Sequence, residues 1–73
     1  MTQEMDWIRR EMRIEGMSCQ HCVMAVRRAL DAVGGVRVES VDVGRAVVFY
    51  DPSRVGELRL RAAIEAEGYR VES

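Results

Sequence analysis

The sequence predicts an α+β fold in which a four-stranded antiparallel sheet carries two helices on one of its faces. Three observations support this prediction. The chain has 73 residues, which is enough for one domain. Hydrophobic and polar residues alternate in four short segments, as they do in half-buried strands. In two longer segments the hydrophobic residues recur at helical spacing, and glycines separate most of these segments.

The first strand and the first helix are separated by a short segment that contains a glycine. Apolar residues alternate with charged ones over residues 12–15, which predicts a strand that ends at Gly16. Residues 19–33 contain no proline or glycine and predict the first helix. Ser18 is its expected N-cap, and the glycine pair at 34–35 is its expected C-terminal stop. The residues expected on its inner face are Cys22, Val26, Ala29, Leu30 and Val33.

The second and third strands are predicted to form a hairpin. Valines alternate over residues 36–43, but the alternation slips by one position at residues 39–40, which indicates a β-bulge. Residues 44–45, glycine followed by arginine, have the pattern of a two-residue type II′ turn. The third strand is then expected over residues 46–50.

The second helix and the last strand complete the pattern. Residues 51–53, Asp-Pro-Ser, end the third strand, and a helix is predicted over residues 54–67, with Gly56 unfavourable near its start. Gly68 ends this helix, and residues 69–72 alternate as a last strand. The order βαββαβ is that of the ferredoxin-like fold. The residues expected on the inner face of the second helix are Val55, Leu60, Ala63 and Ile64.

Composition and charge argue against several classes of function. Of the residues, 48% are hydrophobic and 32% are charged, which is typical of a soluble globular protein. Eleven basic and twelve acidic residues give a net charge of −1, which argues against a general nucleic-acid binder. No apolar stretch approaches the roughly 20 residues of a membrane span, and the first residues lack the apolar region of a secretory signal. We therefore expect a cytoplasmic protein whose thiols are reduced.

The two cysteines, Cys19 and Cys22, lie where the first helix is expected to begin. A disulfide between them would close a very small loop and stabilise little, so the pair is interpreted first as metal-binding or catalytic. A helix N-terminus lowers the pKa of a thiol, and the thiolate is the form that binds metals. A closed zinc site needs four protein ligands, and an iron–sulfur cluster needs four cysteines. Two thiolates alone therefore favour Cu(I), with Ag(I) as a mimic, over Zn(II).

Residues 16–22, Gly-Met-Ser-Cys-Gln-His-Cys, resemble the G-M-x-C-x-x-C signature of heavy-metal-associated domains, in particular those of bacterial cytoplasmic copper chaperones. The resemblance covers about residues 11–72, including the ending Ile-Glu-Ala-Glu-Gly-Tyr at 64–69. It implies a non-enzymatic carrier that hands Cu(I) to the metal-binding domain of a copper-transporting P-type ATPase or to a copper-responsive regulator. It also matches Tyr69 to an aromatic residue near the metal loop. Neither nucleic acid nor a membrane is an expected partner, and the expected state is a monomer or a copper-bridged dimer.

Four residues near the cysteines are candidates for an auxiliary role: Met17, Ser18, His21 and Tyr69. Met17 is expected to pack in the core instead of binding metal through its thioether. Ser18 leaves the position before Cys19 uncharged, which disfavours harder divalent ions. His21 should face away from the point that the two sulfurs share, either as an exposed residue or as an occasional third ligand. Tyr69 either shields the metal loop or is an aromatic residue at the edge of the core.

Other interpretations of the cysteine pair stay open at this point. One is a small thiol–disulfide exchange protein, and another is the detached N-terminal metal-binding domain of a copper ATPase. Buried structural thiols are a third, although the loop around the cysteines is polar. In each case we expect one domain over residues 11–73, preceded by an extension over residues 1–10.

The open face of the sheet is expected to expose two apolar residues. Alternation in the third strand directs Val47 and Phe49 away from the helices. Exposed apolar residues of this kind usually mark a contact. The extension over residues 1–10 can cover them, or the same patch can pair two chains. The apolar residues available for such a cover are Met5, Trp7 and Ile8.

Overall fold

The computed structural model describes residues 6–72 and contains the predicted elements in the predicted order. The strands are β1 (Ile8–Glu15), β2 (Val36–Asp42), β3 (Arg45–Tyr50) and β4 (Arg70–Val71), and the helices are α1 (Gln20–Asp31) and α2 (Glu57–Glu65). The strands pair antiparallel in the order β2-β3-β1-β4. The predicted fold is therefore confirmed.

The core lies between one face of the sheet and the two helices. Val26 and Leu30 of α1, with Leu60 and Ile64 of α2, have no exposed area and belong to one cluster with the sheet. Burial of a large aliphatic side chain contributes roughly 1.5–3 kcal/mol, so these four positions dominate the attachment of the helices. The predicted inner faces are confirmed at these positions. The sheet contributes Met12, Ile14, Ala46, Val48, Tyr50 and Val71 to the same cluster, with β2 adding Val41.

Strand β1 begins at Ile8 instead of residue 12. Its pairing with β3 continues until Ile8 lies opposite Tyr50, the last residue of β3. The sequence did not predict this longer strand because Arg10, which pairs with the core residue Val48, is charged where the alternation requires an apolar residue. The Nε atom of Arg10 lies 3.3 Å from a carboxylate oxygen of Glu57, which explains how the charge is accommodated. Residues 8–10 of the expected extension thus belong to the sheet.

Helix α2 begins at Glu57 instead of residue 54. The carbonyl of Asp51 accepts hydrogen bonds from the N–H groups of Arg54 at 2.9 Å and Val55 at 3.0 Å, which closes a turn before the helix. Gly56 then has an extended backbone, with φ −119° and ψ 171°, and is the N-cap. Val55 is buried as predicted, but it precedes the helix.

Both helices and the last strand are shorter than predicted. Helix α1 ends at Asp31 and α2 at Glu65, and β4 contains only two residues. After α2, the N–H groups of Glu67 and Gly68 donate to carbonyls three residues earlier, which forms a tighter final turn. Gly68 has φ +96°, so the chain leaves the helix at the predicted glycine. Neither helix within residues 6–72 is long and apolar enough to cross a membrane.

The β2–β3 hairpin confirms the predicted bulge and corrects the predicted turn. The register shifts after Val38, so Glu39 is the bulged residue. The turn consists of Val43 and Gly44, because pairing resumes at Arg45. The prediction of residues 44–45 was wrong by one position. Gly44 has φ +86° in the second place of the turn, where a type II turn requires glycine.

Val47 is buried on the open face of the sheet, contrary to the expectation that it is exposed there. It is 1% exposed although it does not belong to the cluster under the helices. Arg9 on β1 reaches across β3 to Glu39 on β2, with 3.3 Å between Nε and Oε1. Arg45 pairs at 2.8 Å with Glu11, which lies directly opposite Val47. Charged side chains with long apolar stems therefore supply at least part of the cover.

The other apolar residues expected at the open face of the sheet differ in how far they are buried. Phe49 is half-buried, and so is Trp7, whose indole Nε1 is buried and has no hydrogen-bond partner within residues 6–72. Ile8 stays 43% exposed at the start of β1. Met5 lies outside the described residues, so its part in a cover stays a prediction.

Candidate metal centre

The segment between β1 and α1 turns sharply at Gly16. Its φ is +100°, a backbone conformation that residues with a side chain rarely adopt. A Cβ atom at this position would also lie 3.3 Å from Cδ1 of Tyr69. Gly16 therefore lets the chain pass close to the Tyr69 ring, and this contact brings the ring to the start of α1.

Cys19 is the N-cap of α1. Its backbone is extended, and its carbonyl accepts the N–H of Cys22 at 3.0 Å and that of Val23 at 3.2 Å. The prediction that Ser18 caps the helix was wrong, because the first helical hydrogen bonds end on the Cys19 carbonyl. Cys19 makes no capping bond with its side chain, and the first turn contains no acidic residue. The partial positive charge of the helix N-terminus therefore acts on the two thiols without competition from an acid.

The two thiols lie side by side at this helix end. Their Sγ atoms are 3.8 Å apart, beyond the roughly 2.05 Å of a disulfide bond, so both cysteines are free. Cys19 is exposed, whereas Cys22 is half-buried and packs against the core. Because a metal–sulfur bond is about 2.3 Å long, one ion can contact both sulfurs at this spacing. The pair forms an open two-sulfur site at the surface.

The surroundings of Cys22 favour its thiolate. A hydrogen bond from the Tyr69 hydroxyl is the largest cause that lowers the pKa of Cys22 to about 6, and the backbone N–H groups of Ser18 and Cys19 add to it. Partial burial of the thiol opposes this shift. The same hydrogen bond raises the pKa of Tyr69, so the tyrosine is the donor. At pH 7 Cys22 is mostly the thiolate, which is the form that binds metals.

We expect the substitution Tyr69→Phe to raise the pKa of Cys22 from about 6 toward that of an ordinary thiol, about 8.5. The phenylalanine ring can still pack on Gly16, but the hydroxyl that stabilises the thiolate is lost. The measurement is the rate of alkylation by iodoacetamide against pH, in a Cys19→Ser background that leaves one thiol. Between pH 6 and 7 the rate should fall several-fold.

Tyr50→Phe is the matched control for this measurement. The Tyr50 hydroxyl donates to Glu57 at 3.4 Å, and Tyr50 lies opposite Ile8, at the end of β1 remote from the cysteines. Its alkylation profile should match that of the parent protein. If Tyr69→Phe also matches the parent, the hydroxyl does not set the pKa of Cys22.

The other polar or sulfur-containing side chains near the cysteines in the sequence lie outside the two-sulfur site. Met17 is 8% exposed in the core, as expected, and its Sδ accepts the N–H of Gly44 at 3.4 Å. Ser18 and His21 are exposed, and Met24 is a surface residue of α1 with 58% of its area exposed. In the part of the chain that the structure describes, no cluster of three or more His, Cys, Asp or Glu side chains could hold a metal. His21 therefore does not join the two thiols as a third ligand in this structure.

Two contacts of the site could not be found from the sequence alone. The resemblance matched Tyr69 to the metal loop, but it did not identify the hydrogen bond to Cys22. The bond from Gly44 to Met17 ties the β2–β3 hairpin to the metal loop, and it joins residues 27 positions apart. Neither contact has a local pattern, because each depends on how distant elements meet.

Comparison with known proteins finds similar proteins that match most of the described chain. The family model of the heavy-metal-associated domain matches residues 11–70. The copper chaperone CopZ of Staphylococcus aureus (strain JH9) is 42% identical over 62 residues, which are 82% of this chain and 91% of that protein. A solved CopZ metallochaperone has 39% identity and a TM-score of 0.77, and the match covers 89% of this chain and 100% of that one. The Cu(I)-loaded N-terminal domain of a potential copper-translocating P-type ATPase from Bacillus subtilis has 26% identity and a TM-score of 0.83, with 90% and 85% covered.

Proposed function

Because the chain belongs to the heavy-metal-associated domain family, we propose that it is a carrier that binds one Cu(I) ion and passes it on by thiolate exchange. The observation that supports this most is the pair of free thiols, Cys19 and Cys22, with 3.8 Å between their sulfurs at the start of α1. The similarity to a copper chaperone and to a copper ATPase domain supports the same metal.

Cu(I) is the metal that this donor set suits best. It is soft, accepts low coordination numbers and prefers thiolate sulfur. Zn(II), in contrast, is almost always held by four ligands in closed sites. Residues 6–72 offer two adjacent sulfurs and no cluster with a third His, Cys, Asp or Glu. Ag(I) should occupy the same site as a mimic.

Exchange of thiolates moves the ion without changing its oxidation state. A thiolate of the acceptor forms a bond to Cu(I) as the bond to Cys19 breaks. Cys19 is replaced first because it is the more exposed of the two cysteines and the acceptor can approach the ion from its side. A second acceptor thiolate then replaces Cys22 in the same way. Each step forms one Cu–S bond and breaks one, and each cysteine leaves as a thiolate. At Cys22 the Tyr69 hydroxyl stabilises the leaving thiolate.

The acceptor that we propose is the metal-binding domain of a copper-transporting P-type ATPase or a copper-responsive regulator in the cytoplasm. The carrier domain includes residues 8–10 of β1 together with the expected residues 11–73, and it acts without catalytic residues. It acts as a monomer, or as a dimer in which copper bridges Cys19 and Cys22 of two copies. Gel filtration with and without one equivalent of Cu(I) distinguishes these two states.

We expect reversal of Arg27 and Arg28 to glutamate to slow copper transfer to an acidic acceptor domain about tenfold at low salt, without changing Cu(I) affinity. Both arginines are exposed on α1 beyond Cys22, next to Met24. Charge on such a surface steers the encounter of two proteins and acts mainly on the association rate. The measurement is stopped-flow transfer from the Cu(I)-loaded protein at several salt concentrations.

The matched control is the same double reversal at Arg13 and Arg70. These arginines lie on the open face of the sheet, where Arg70 is opposite Glu15, so the net charge changes equally on the other side of the molecule. The control should transfer copper at close to the wild-type rate. Equal rates for both double variants and the wild type at low salt would rule out docking through α1.

A thiol–disulfide exchange activity is the second candidate function, and the lowered pKa of Cys22 is the observation that favours it. Low thiol pKa values are also typical of redox-active Cys-x-x-Cys pairs. Reduction of insulin by dithiothreitol separates the two functions. A copper carrier leaves the rate of insulin precipitation unchanged, whereas an exchange protein accelerates it. Acceleration by a protein that also fails to hold Cu(I) against a chelator would replace the carrier proposal.

A further inference from the structure

Arginines on the two sides of the molecule differ in their partners. On the sheet side, Arg9, Arg45 and Arg70 each have a nitrogen 3.7 Å or less from a glutamate oxygen. Arg13, on the same side, forms no ion pair within residues 6–72 but is attracted electrostatically by Glu72. On and beside the helices, five arginines form no ion pair with any residue in 6–72. These are Arg27, Arg28, Arg54, Arg59 and Arg61.

Two of the unpaired arginines, Arg54 and Arg59, line a cleft of about 490 Å³ where the end of α1 meets the start of α2. Arg54 lies along the Gly34–Gly35 turn. Its Nη2 is 3.9 Å from the position of a Cβ on Gly34, and its Nε is 3.7 Å from that of a Cβ on Gly35. A Cβ on Gly35 would lie only 3.2 Å from the Cβ of Arg54, so this glycine leaves room for the base of the Arg54 side chain beside the turn. The rest of the cleft is lined by Val33, Gly34, Val55 and Gly56.

The carboxylates next to this cleft in the sequence are engaged elsewhere. Asp51 attracts Arg54 electrostatically, but its Oδ1 accepts hydrogen bonds from the N–H and hydroxyl of Ser53 at 3.0 and 2.7 Å. Glu57 pairs with Arg10 and accepts the hydroxyl of Tyr50. The positive charge of the cleft is therefore left without a bound carboxylate in the described chain.

We propose that this arginine cleft, formed by Arg54 and Arg59, is a docking site for an acidic segment of a protein partner. It lies at the opposite end of α1 from the cysteines, and the 12 residues of α1 span about 18 Å. A partner bound there does not obstruct thiolate exchange. The proposal rests on the proposed function in one respect, since a carrier has to dock on a protein acceptor.

An extended acidic segment fits this surface better than a small free anion. Both guanidinium groups are exposed, and a single surface ion pair contributes little, so a ligand needs several contacts at once. On α2, Leu58 directly precedes Arg59, is 80% exposed and lies three residues before Arg61, on the same face of the helix. A chain with several carboxylates and an apolar residue can contact all of these groups. A free anion can occupy only the cleft.

An NMR titration of the metal-free 73-residue protein tests this proposal, with a synthetic peptide of repeating glutamate, aspartate and leucine as the probe. The amide shifts of Gly34, Gly56 and Arg59 should change and saturate, and the affinity should fall as salt is added. The double substitution Arg54→Gln and Arg59→Gln should weaken binding about fivefold, since it removes two surface ion pairs. The assay contains no metal, so its outcome is independent of Cu(I) binding.

The matched control is Arg13→Gln with Arg45→Gln, which removes the same charge from the sheet side. It should leave peptide binding unchanged. Equal weakening by both double variants would show a general effect of net charge and would overturn the proposal. Shift changes centred on residues 16–24 instead of the arginine cleft would also overturn it. Saturable binding of inorganic phosphate at the same amides, without binding of the peptide, would replace the docking site with a small-anion site.

Discussion

Replacement of either Cys19 or Cys22 by serine is expected to abolish Cu(I) capture at one equivalent. The two sulfurs are 3.8 Å apart, and residues 6–72 hold no third His, Cys, Asp or Glu in a cluster with them. Each single variant therefore keeps one sulfur, and a serine hydroxyl is too hard to replace the other. The measurement is anaerobic competition with a Cu(I) chelator, together with a thermal melt to check that each variant is folded.

His21→Ala and Met24→Leu are the controls for this experiment. Both side chains are close to the cysteines in the sequence and both are exposed, so they test whether proximity alone matters. Both variants should retain one Cu(I) per chain. If each of the two serine variants still holds chelator-resistant copper, even below one equivalent, the two-thiolate site is wrong.

The substitution Leu60→Ala is expected to destabilise the fold by about 2–5 kcal/mol, the range for a leucine deleted from a packed core. Leu60 has no exposed area and lies on the face of α2 that packs on the sheet. The free energy of unfolding of a small domain is roughly 5–15 kcal/mol, so this loss is a large share of the total stability. The measurement is the free energy of unfolding from urea denaturation of the metal-free protein.

Leu58→Ala gives a control in the same helix with the same chemical change. Leu58 is 80% exposed, and exposed substitutions usually change stability by less than about 0.5 kcal/mol. The ratio between the two effects therefore measures the burial of the inner face of α2. Comparable losses for the two variants would contradict the core described above.

The order of the elements could be predicted because it depends on patterns that are local in the sequence. Alternation in the strands, helical spacing in the two helices and the register slip at Glu39 each span only a few residues. Element ends were predicted less well, because they depend on particular hydrogen bonds. The carbonyl of Cys19, not the side chain of Ser18, begins α1, and the bonds to the Asp51 carbonyl delay α2 until Glu57.

The candidate site shows the same division. The spacing of Cys19 and Cys22 at the start of a helix was sufficient to predict that the two sulfurs lie close together. The hydrogen bond that lowers the pKa of Cys22 comes from Tyr69, which is distant in the sequence. The alternation of apolar and polar residues does not predict where the Tyr69 hydroxyl points. Val47 was predicted to be exposed for a related reason. Its cover includes arginine side chains whose ion pairs join different strands of the sheet, and binary patterning treats charged residues only as solvent-exposed.

The most direct test of the copper-carrier proposal is an anaerobic titration of the reduced protein with Cu(I) against a competing chelator, in the presence of excess Zn(II). Because two thiolates match a soft ion with low coordination better than a metal that needs four ligands, we expect each chain to take up one Cu(I) and Zn(II) to leave it bound. Failure to withdraw Cu(I) from the chelator, or displacement of Cu(I) by Zn(II), would contradict the proposal.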